Sequence, residues 1–358
     1  MKISKLYSNN TNFKTITFDK GINFILSNKN GVGKSSLFKL IDFCLLGDKS
    51  FLGHEHFKDY IFYIELQIAS NRYITIKRPI VGGKNIELKI TKQKSMLLDE
   101  KDFNKKCSLS MAKSFFENKV NYSINKFRTY ITYFLRDEEN QDNPFMLNKH
   151  SNSHEIEYKT VISNLVGIDG RKIKRKYDLE KQIEKEELQL SESKNTQKDL
   201  KTVIEENKTL IESHFIDILK NSIAKYGKMI LNKEVVFTIN FSTSNDIEFN
   251  IKILDDDLSY DDVTIKKLLC LVFSSALAEV YVQKRLIKFV AFDCPFDGDK
   301  NIYEEGIYQA IHELHRKGIQ TIITSNENVI HNLENILEIK NDYLTGFLSH
   351  DDKLMGEF

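Results

Sequence analysis

A short glycine-rich segment between two apolar runs constrains the fold of this chain more than any other feature. The segment NGVGKSS (30–36) follows the strand-like run GINFIL (21–26) and precedes SSLFKLIDFCLLG (35–47), which is apolar at helical spacing. A strand, a glycine-rich loop and a helix in this order are the context that a phosphate-binding P-loop requires. The residues expected to surround the phosphates are Asn30, Gly31, Val32, Gly33, Lys34, Ser35 and Ser36.

Each residue type in this loop suits phosphate chemistry. Gly31 and Gly33 let the backbone wrap around phosphates and point its N–H groups inward at a helix N-terminus. We expect Lys34 to reach the β- and γ-phosphates of ATP, and the Ser35 hydroxyl to ligate Mg²⁺. Asn28 occupies the first glycine position of the pattern, and asparagine tolerates left-handed backbone better than most residues. The alternative is a glycine turn that happens to precede Lys-Ser.

A second apolar run ends in an acid. The run LIKFVAFD (286–293) predicts a buried strand that ends at Asp293, a carboxylate suited to orienting Mg²⁺ through water. The alternative is a strand that is simply capped by an aspartate. Helical patterns over 263–284 and 302–317 and a strand at 320–325 complete a parallel α/β unit around it.

The remaining elements divide the chain into three parts. Runs at 60–68, 72–80 and 85–93 predict an antiparallel meander, and 109–136 has amphipathic helical spacing. Charged residues dominate from 171 to 213, which predicts two antiparallel helices; the alternative is one bent, solvated surface helix. Strands return at 234–241 and 246–254.

Composition narrows the class of protein. The 358 residues carry 52 Lys and Arg against 51 Asp and Glu, which excludes a histone-like polycation. Four cysteines without a CxxC pair argue against a zinc ribbon or a disulfide framework. The polar start MKISKLYSNN and the absence of a bilayer-length apolar run predict a cytoplasmic protein that does not enter a membrane.

NGVGKSS early, a charged arm in the middle and Asp-x-Pro after a late strand resemble the SMC/RecN class of ABC-type ATPases. The pieces MKISKLYSNN, FRTYITYFLRDEENQDNPF, FDCPFDG and KLMGEF are similar to the SMC-like middle component of ABC-three-component (Lamassu-type) anti-phage systems. The resemblance implies an α/β ABC-type head with an antiparallel β subdomain. Its halves would be residues 1–168 and 217–358, separated by an unusually short helical hairpin at 169–216.

The resemblance also implies contacts from two further segments. In ABC-type heads a signature segment precedes the acidic strand and contacts the nucleotide of the opposing head. Here Leu258–Asp262 stands in that place, with Ser259 as the matching serine and neither signature glycine present. An ordinary helix cap is the alternative. Gln141 stands where a glutamine that senses Mg²⁺ or water is expected, although an ordinary loop glutamine explains it equally simply.

The catalytic positions depart from the family pattern. ABC-type ATPases follow the acidic-strand Asp with a Glu that polarises the attacking water, whereas Cys294 stands here. A thiol does not supply that carboxylate at neutral pH, so hydrolysis should be slow or use another group. Asp297 is the nearest carboxylate and a candidate substitute. Ser325 or Asn326 stands where the switch histidine is expected; either can hydrogen-bond a γ-phosphate, and neither is a general base.

Two functions follow from these expectations. In the first, ATP drives two copies of the chain to dimerise through their heads, which gates DNA clamping or a partner effector in anti-phage defence, with weak or atypical hydrolysis. In the second, the chain is a nucleotide-locked assembly subunit with essentially no turnover. A P-loop kinase is disfavoured because the arm would then have no purpose.

The resemblance further implies a separate effector, such as a nuclease, and a small accessory subunit. Double-stranded DNA is the other expected partner, bound without reading its bases. One basic cluster could contact the DNA backbone, although a solvated coiled-coil face explains it as well. Its members are Arg171, Lys172, Lys174, Arg175 and Lys176.

Overall fold

The computed structural model describes most of the chain in separate stretches. They are residues 1–27, 33–47, 57–81, 85–92, 103, 106–120, 127–146, 155–187, 213–241, 247–254, 262–283, 287–296, 303–326 and 344–348. Contacts group the chain into two units, one of residues 1–141, 229–231 and 278–358, the other of residues 142–228 and 232–277. These units differ from the division at 168 and 216 expected from the sequence, which stays a prediction.

The described part of the chain contains both strands and helices. The strands are β1 (Lys2–Ser8), β2 (Ile16–Thr17), β3 (Ile22–Ser27), β4 (Ile61–Ala69), β5 (Arg72–Pro79), β6 (Asn85–Thr91), β7 (Lys106–Ser108), β8 (Leu135–Arg136), β9 (Val235–Phe241), β10 (Ile247–Ile253), β11 (Phe289–Asp293), β12 (Gln320–Asn326) and β13 (Leu344–Leu348). The helices are α1 (Lys34–Cys44), α2 (Leu109–Val120), α3 (Phe127–Ile131), α4 (Glu155–Leu165), α5 (Gly170–Glu187), α6 (Ser213–Leu231), α7 (Val263–Gln283) and α8 (Glu304–Arg316).

A parallel sheet forms the centre of the first unit, with strand order β13-β3-β12-β11-β8. Every residue of β3 and β11 is buried, as are six of the seven in β12, and such burial on both faces agrees with the apolar runs of β3 and β11. The register pairs Asp293 with Thr324 and Asn326 with Ser27. The carboxyl ends of β3, β12 and β11 therefore lie together at one edge of the sheet.

An antiparallel sheet is the second layer of this unit, with strand order β2-β1-β4-β5-β6-β7. Its β4–β5–β6 portion confirms the meander predicted from the sequence, with ends shifted by at most two residues. Tyr7 and Tyr63 stack on neighbouring strands with ring centroids 4.7 Å apart. The cross-strand pair stabilises one face of this sheet.

Two arginines bind the carboxyl end of α1. Arg78 of β5 is 1% exposed, and its Nη1 donates to the carbonyls of Phe43 and Gly47. Arg128 of α3 donates to the Leu45 carbonyl at 3.1 Å and pairs with Asp42 at 2.5 Å. The last carbonyls of a helix lack partners within the helix and carry negative partial charge. The guanidinium groups satisfy that end of α1, the helix whose other end follows the glycine-rich loop.

The second unit contains the β9–β10 hairpin, whose antiparallel pairing confirms the strands predicted at 234–241 and 246–254. Phe145 contacts three other phenylalanines within this unit, with ring centroids 5.1 to 6.1 Å apart: Phe237, Phe249 and Phe273. Aromatic clusters of this kind bury a large apolar area. The four rings contribute to the buried core of this unit.

The helix predicted over 109–136 is partly wrong. It is α2 up to Val120 and α3 up to Ile131, and Leu135 and Arg136 are a parallel strand beside β11, with Leu135 opposite Ala291. The end of the predicted helix, TYFLR (132–136), is too short to show a period of its own, so the local pattern does not separate helix from strand there. Pairing with the outer side of β11 makes Leu135 and Arg136 a strand.

The charged arm is described in its first half. α5 confirms a helix from Gly170 to Glu187, and the second predicted helix falls largely in 188–212, outside the described residues. β13, α4 and α6 were not predicted from the sequence. None of the helices within the described stretches is long and apolar enough to cross a bilayer.

Replacing Arg78 with methionine should lower the free energy of unfolding by about 2 to 4 kcal/mol, because two buried carbonyls lose their donor. Urea denaturation measures the change. Arg72→Met, at the exposed start of the same strand, is the matched control and should change the free energy by less than about 0.5 kcal/mol. Equal losses in the two variants would contradict the capping role of Arg78.

Candidate functional site

The described part of the glycine-rich loop has the backbone that the motif requires. Gly33, immediately before α1, has φ 106°, and its carbonyl accepts the first bond of the helix from the Leu37 N–H at 2.9 Å. Only glycine adopts that conformation without strain. Ser35 and Ser36 lie half-buried in the first turn of α1. Asn30, Gly31 and Val32 fall outside the described residues.

Lys34 carries a buried positive charge at this helix end. The residue is only 9% exposed, and its Nζ donates a hydrogen bond to the Ser27 hydroxyl at 2.5 Å. Within the described stretches, no carboxylate is paired with this ammonium group. A buried ammonium without a counter-charge is unfavourable unless an anion accompanies it. The helix N-terminus beside it favours an anion as well.

Asp293 carries a buried negative charge at the end of β11. The residue is 2% exposed, and its Oδ1 accepts a hydrogen bond from the Thr324 hydroxyl at 2.6 Å. Its Oδ2 is buried and has no hydrogen-bond partner among the described residues. A buried carboxylate oxygen normally has a donor or a metal. Because no described residue donates to it, this oxygen is available to coordinate a cation or to accept a hydrogen bond from water bound to a cation.

Gln141 lies against the acidic strand. After β8 the chain makes a tight turn over Glu138–Asn140, and the Gln141 Nε2 then donates to the carbonyls of Asp293 at 2.8 Å and Arg136 at 3.3 Å. The side chain is 4% exposed, so these bonds are shielded from water. The structure thus brings together Gln141 and Asp293, 152 residues apart in the chain. Its sensing role stays a prediction.

Cys294 follows the acid with an unusual backbone. Its φ of 46° lies in the left-handed region, and its N–H donates to the Thr324 hydroxyl at 3.0 Å. The Sγ lies 3.6 Å from the same hydroxyl oxygen. No carboxylate is supplied at this position, and the candidate substitute Asp297 falls outside the described residues. Cys44, in contrast, is fully buried in α1, and burial raises the pKa of its thiol to about 12.

The end of β12 places two more predicted residues beside the loop strand. Ser325 pairs in register with Leu26, and Asn326 pairs with Ser27. The Ser325 Oγ and the Asn326 Oδ1 are both buried without a hydrogen-bond partner in the described part of the chain. Buried polar atoms without partners are rare in folded proteins. Their position at this edge agrees with the predicted contact to a phosphate, which stays a prediction.

Ser259, the candidate signature residue, falls outside the described residues. The helix expected after it is α7, which begins at Val263. The Asp262 carboxylate accepts from the Thr264 N–H at 2.8 Å, so this aspartate caps the helix.

Two residues at this edge were not predicted as site residues from the sequence. Thr324 contacts both Asp293 and Cys294, and Ser27 accepts the bond from Lys34. Thr324 directly precedes the predicted Ser325, and the register of β12 against β11 was the missing information. Only the register shows that the hydroxyl of Thr324, and not that of Ser325, reaches Asp293.

A parallel sheet with a helix after the glycine-rich loop that follows β3 and an acid at the end of β11, together with an antiparallel sheet, is the fold of an ABC-type ATPase head. The family profile described as "AAA domain" matches residues 5–215, and the chain belongs to this family. A comparison with curated protein sequences finds no match.

Comparison with solved structures identifies the fold more specifically. The SMC head bound to the C-terminal winged-helix domain of ScpA matches with a TM-score of 0.55 and 13% identity over 93% of this chain and 91% of the other. The Smc head with a coiled coil and joint from Pyrococcus yayanosii matches with a TM-score of 0.51 and 13% identity, over 92% and 93%. The chain therefore has the fold of an SMC ATPase head, as the sequence predicted.

Removing the buried charge at Lys34 should not weaken the free protein. We expect Lys34→Met to leave the free energy of unfolding unchanged or to raise it by up to about 2 kcal/mol, because functional sites hold groups that are unfavourable without a ligand. Urea denaturation without nucleotide or Mg²⁺ measures this. Lys39→Met on the same helix removes only an exposed ion pair with Glu139 and should change stability by less than about 1 kcal/mol. A loss above about 1 kcal/mol in Lys34→Met alone would contradict the interpretation.

Proposed function

We propose that this protein is an SMC-like ATPase head that binds ATP with Mg²⁺ at the carboxyl edge of its parallel sheet. One observation carries the proposal: Lys34 and Asp293 are buried opposite charges at this edge, yet they are not paired with each other. A ligand that is anionic on one side and cationic on the other complements both groups. A magnesium nucleotide has that character.

The residues present fit this ligand. Lys34 and the N–H groups at the start of α1 would hold phosphate oxygens, and the Ser35 hydroxyl with Asp293 would hold Mg²⁺, the latter through water. The unpartnered Oδ2 of Asp293 supports this fit. Bound Mg²⁺ would supply neutralisation of the charge on the β- and γ-phosphates. The hydrogen bond from Gln141 to the Asp293 carbonyl supports the proposal that this glutamine responds to water at the cation.

We further propose that two copies of the chain engage through their heads, with Ser259 of each contacting the nucleotide of the other. The SMC-head fold and the resemblance of the signature position support this. Engagement on ATP binding would be the state change that gates a partner. The proposed partners are an effector such as a nuclease, a small accessory subunit and double-stranded DNA, in cytoplasmic anti-phage defence.

The basic cluster of α5 supports only part of its predicted DNA contact. Lys174 and Arg175 are exposed, whereas Lys176 is buried and Arg171 is paired with Asp169 at 3.0 Å. The hydrogen bond from Arg171 lowers the pKa of the Asp169 carboxyl, so this pair stays charged at neutral pH. Two exposed cations offer a sequence-independent phosphate contact of modest strength.

Slow hydrolysis is the expected consequence of Cys294. The position after Asp293 carries a thiol, and the switch position carries Ser325 and Asn326, so no general base is present at either. The lack of a general base at these two positions favours a second function, in which the chain is a nucleotide-locked subunit that assembles partners and hardly hydrolyses ATP. Turnover distinguishes the two functions.

The first experiment measures ATP binding and steady-state turnover, with and without linear duplex DNA. Lys34→Ala should weaken ATP binding at least about 100-fold because the phosphate charge loses its partner. Lys39→Ala, at a half-buried lysine on the same helix, is the matched control and should bind as the unaltered protein does. Absence of ATP binding by the unaltered protein would refute the proposal, and binding without turnover would select the nucleotide-locked subunit.

Introducing the missing carboxylate should restore hydrolysis. Cys294→Glu should raise ATP turnover by about 10-fold or more, because a positioned general base contributes that much or more to a rate. Cys294→Gln introduces a side chain of the same size as glutamate but without a carboxylate, and it should not raise turnover. Equal rates in both variants would show that the residue after Asp293 does not limit the reaction.

Head engagement is tested by light scattering after gel filtration. ATP with Mg²⁺ should convert the monomer to a dimer, and Ser259→Arg should block this by placing a bulky cation at the interface. Lys34→Ala should also remain monomeric, because it lacks the nucleotide. A protein that binds ATP but stays monomeric would contradict engagement between two copies.

A further inference from the structure

Thr324 connects the acid to the residue that follows it. It is completely buried on β12 and lies opposite Asp293 in the register of the parallel sheet. Its Oγ1 is 2.6 Å from the Asp293 Oδ1 and 3.0 Å from the Cys294 backbone nitrogen. One hydroxyl on a neighbouring strand therefore contacts both residues.

The direction of these bonds follows from the groups involved. The Cys294 N–H can only donate, so the Thr324 oxygen accepts from it. The single hydroxyl hydrogen is then available to the ionised carboxylate of Asp293, which can only accept. The result is a directed chain from N–H to hydroxyl to carboxylate, in which each bond polarises the next.

This chain leaves the two oxygens of Asp293 in different environments. Oδ1 is held by Thr324, and Oδ2 is buried without a partner in the described part of the molecule. A carboxylate held at one oxygen cannot turn freely about its terminal bond. Its second oxygen is therefore presented in one direction.

The same hydroxyl holds the backbone after the acid. Cys294 has φ 46°, a conformation that costs a non-glycine residue on the order of 1 kcal/mol or more. Such a conformation persists only where the surroundings hold it. The bond from the Cys294 N–H to Thr324 is a contact that does so.

We propose that Thr324 is a positioning residue for the divalent cation: its hydroxyl fixes Asp293 so that Oδ2 faces the cation and its water, and it holds the turn at Cys294. The inference rests on the proposed ATP and Mg²⁺ function of this edge. It adds a residue that touches neither ligand and acts through Asp293. Serine can replace it, and valine, which matches its shape without the hydroxyl, cannot.

Thr321 provides a matched control on the same strand. It is also completely buried, and its Oγ1 has no hydrogen-bond partner among the described residues. Thr321→Val and Thr324→Val therefore make the same chemical change in the same strand. They differ in that only Thr324 is bonded to the acid.

The test is a titration of a fluorescent ATP analogue into the full-length protein, first in EDTA and then at increasing Mg²⁺. Thr324→Val should bind the analogue in EDTA as the unaltered protein does. The Mg²⁺ concentration that gives half of the full fluorescence change should be about 10- to 100-fold higher for this variant. A loss of this size is typical when a group that orients a metal ligand is removed. Thr324→Ser and Thr321→Val should respond as the unaltered protein does.

The outcomes separate the two proposals. If the unaltered protein responds to Mg²⁺ and Thr324→Val responds equally, the role of Thr324 is refuted and the proposed function stands. A Thr324→Ser protein with the same deficit as Thr324→Val also refutes it. If the unaltered protein shows no response to Mg²⁺, the proposed function itself fails. Should circular dichroism show that Thr324→Val does not fold, Thr324→Ala carries the same expectations.

Discussion

The parallel pairing of β12 between β3 and β11 is the constraint on which this site depends. Parallel neighbours cannot be joined by a hairpin, and the β3–β12 pairing joins strands about 300 residues apart in the chain. It sets Ser27 beside Asn326 and Thr324 beside Asp293. Since all carboxyl ends of a parallel sheet share one edge, the loop lysine and the acid lie at the same edge of the sheet.

The energetics of that edge are those of a binding site. Lys34 and Asp293 are buried and opposite in charge, yet each is hydrogen-bonded to a hydroxyl rather than to the other. A direct ion pair would stabilise the free protein and compete with a ligand. Two separated charges instead leave the free protein less stable than it could be and favour a ligand that matches both.

The opposite end of α1 shows the reverse arrangement. There Arg78 and Arg128 satisfy the last carbonyls of the helix, and Asp42 pairs with Arg128. A helix with one end firmly bound can present its other end rigidly. The antiparallel sheet, through Arg78, thus contributes to the site without supplying a residue to it.

The strands around the site were accessible from sequence because each has a local pattern. A glycine-rich loop between a buried strand and a helix, and an apolar run ending in Asp293, need no tertiary information. The strand-like runs of β4 to β6 are separated by short turns, which locally indicates antiparallel pairing. The short strand β8 lies within a segment whose pattern predicts helix, and only its pairing with β11 shows that it is a strand.

The sequence by itself thus determined the class of fold, the phosphate loop and the acidic strand. The tertiary structure alone decided which side chains meet them: the bond of Gln141 to the Asp293 carbonyl, and the choice of Thr324 rather than Ser325 as the partner of the acid. The reason is physical. Side-chain period and turn chemistry are local properties, whereas strand order and register depend on how distant segments share one buried core.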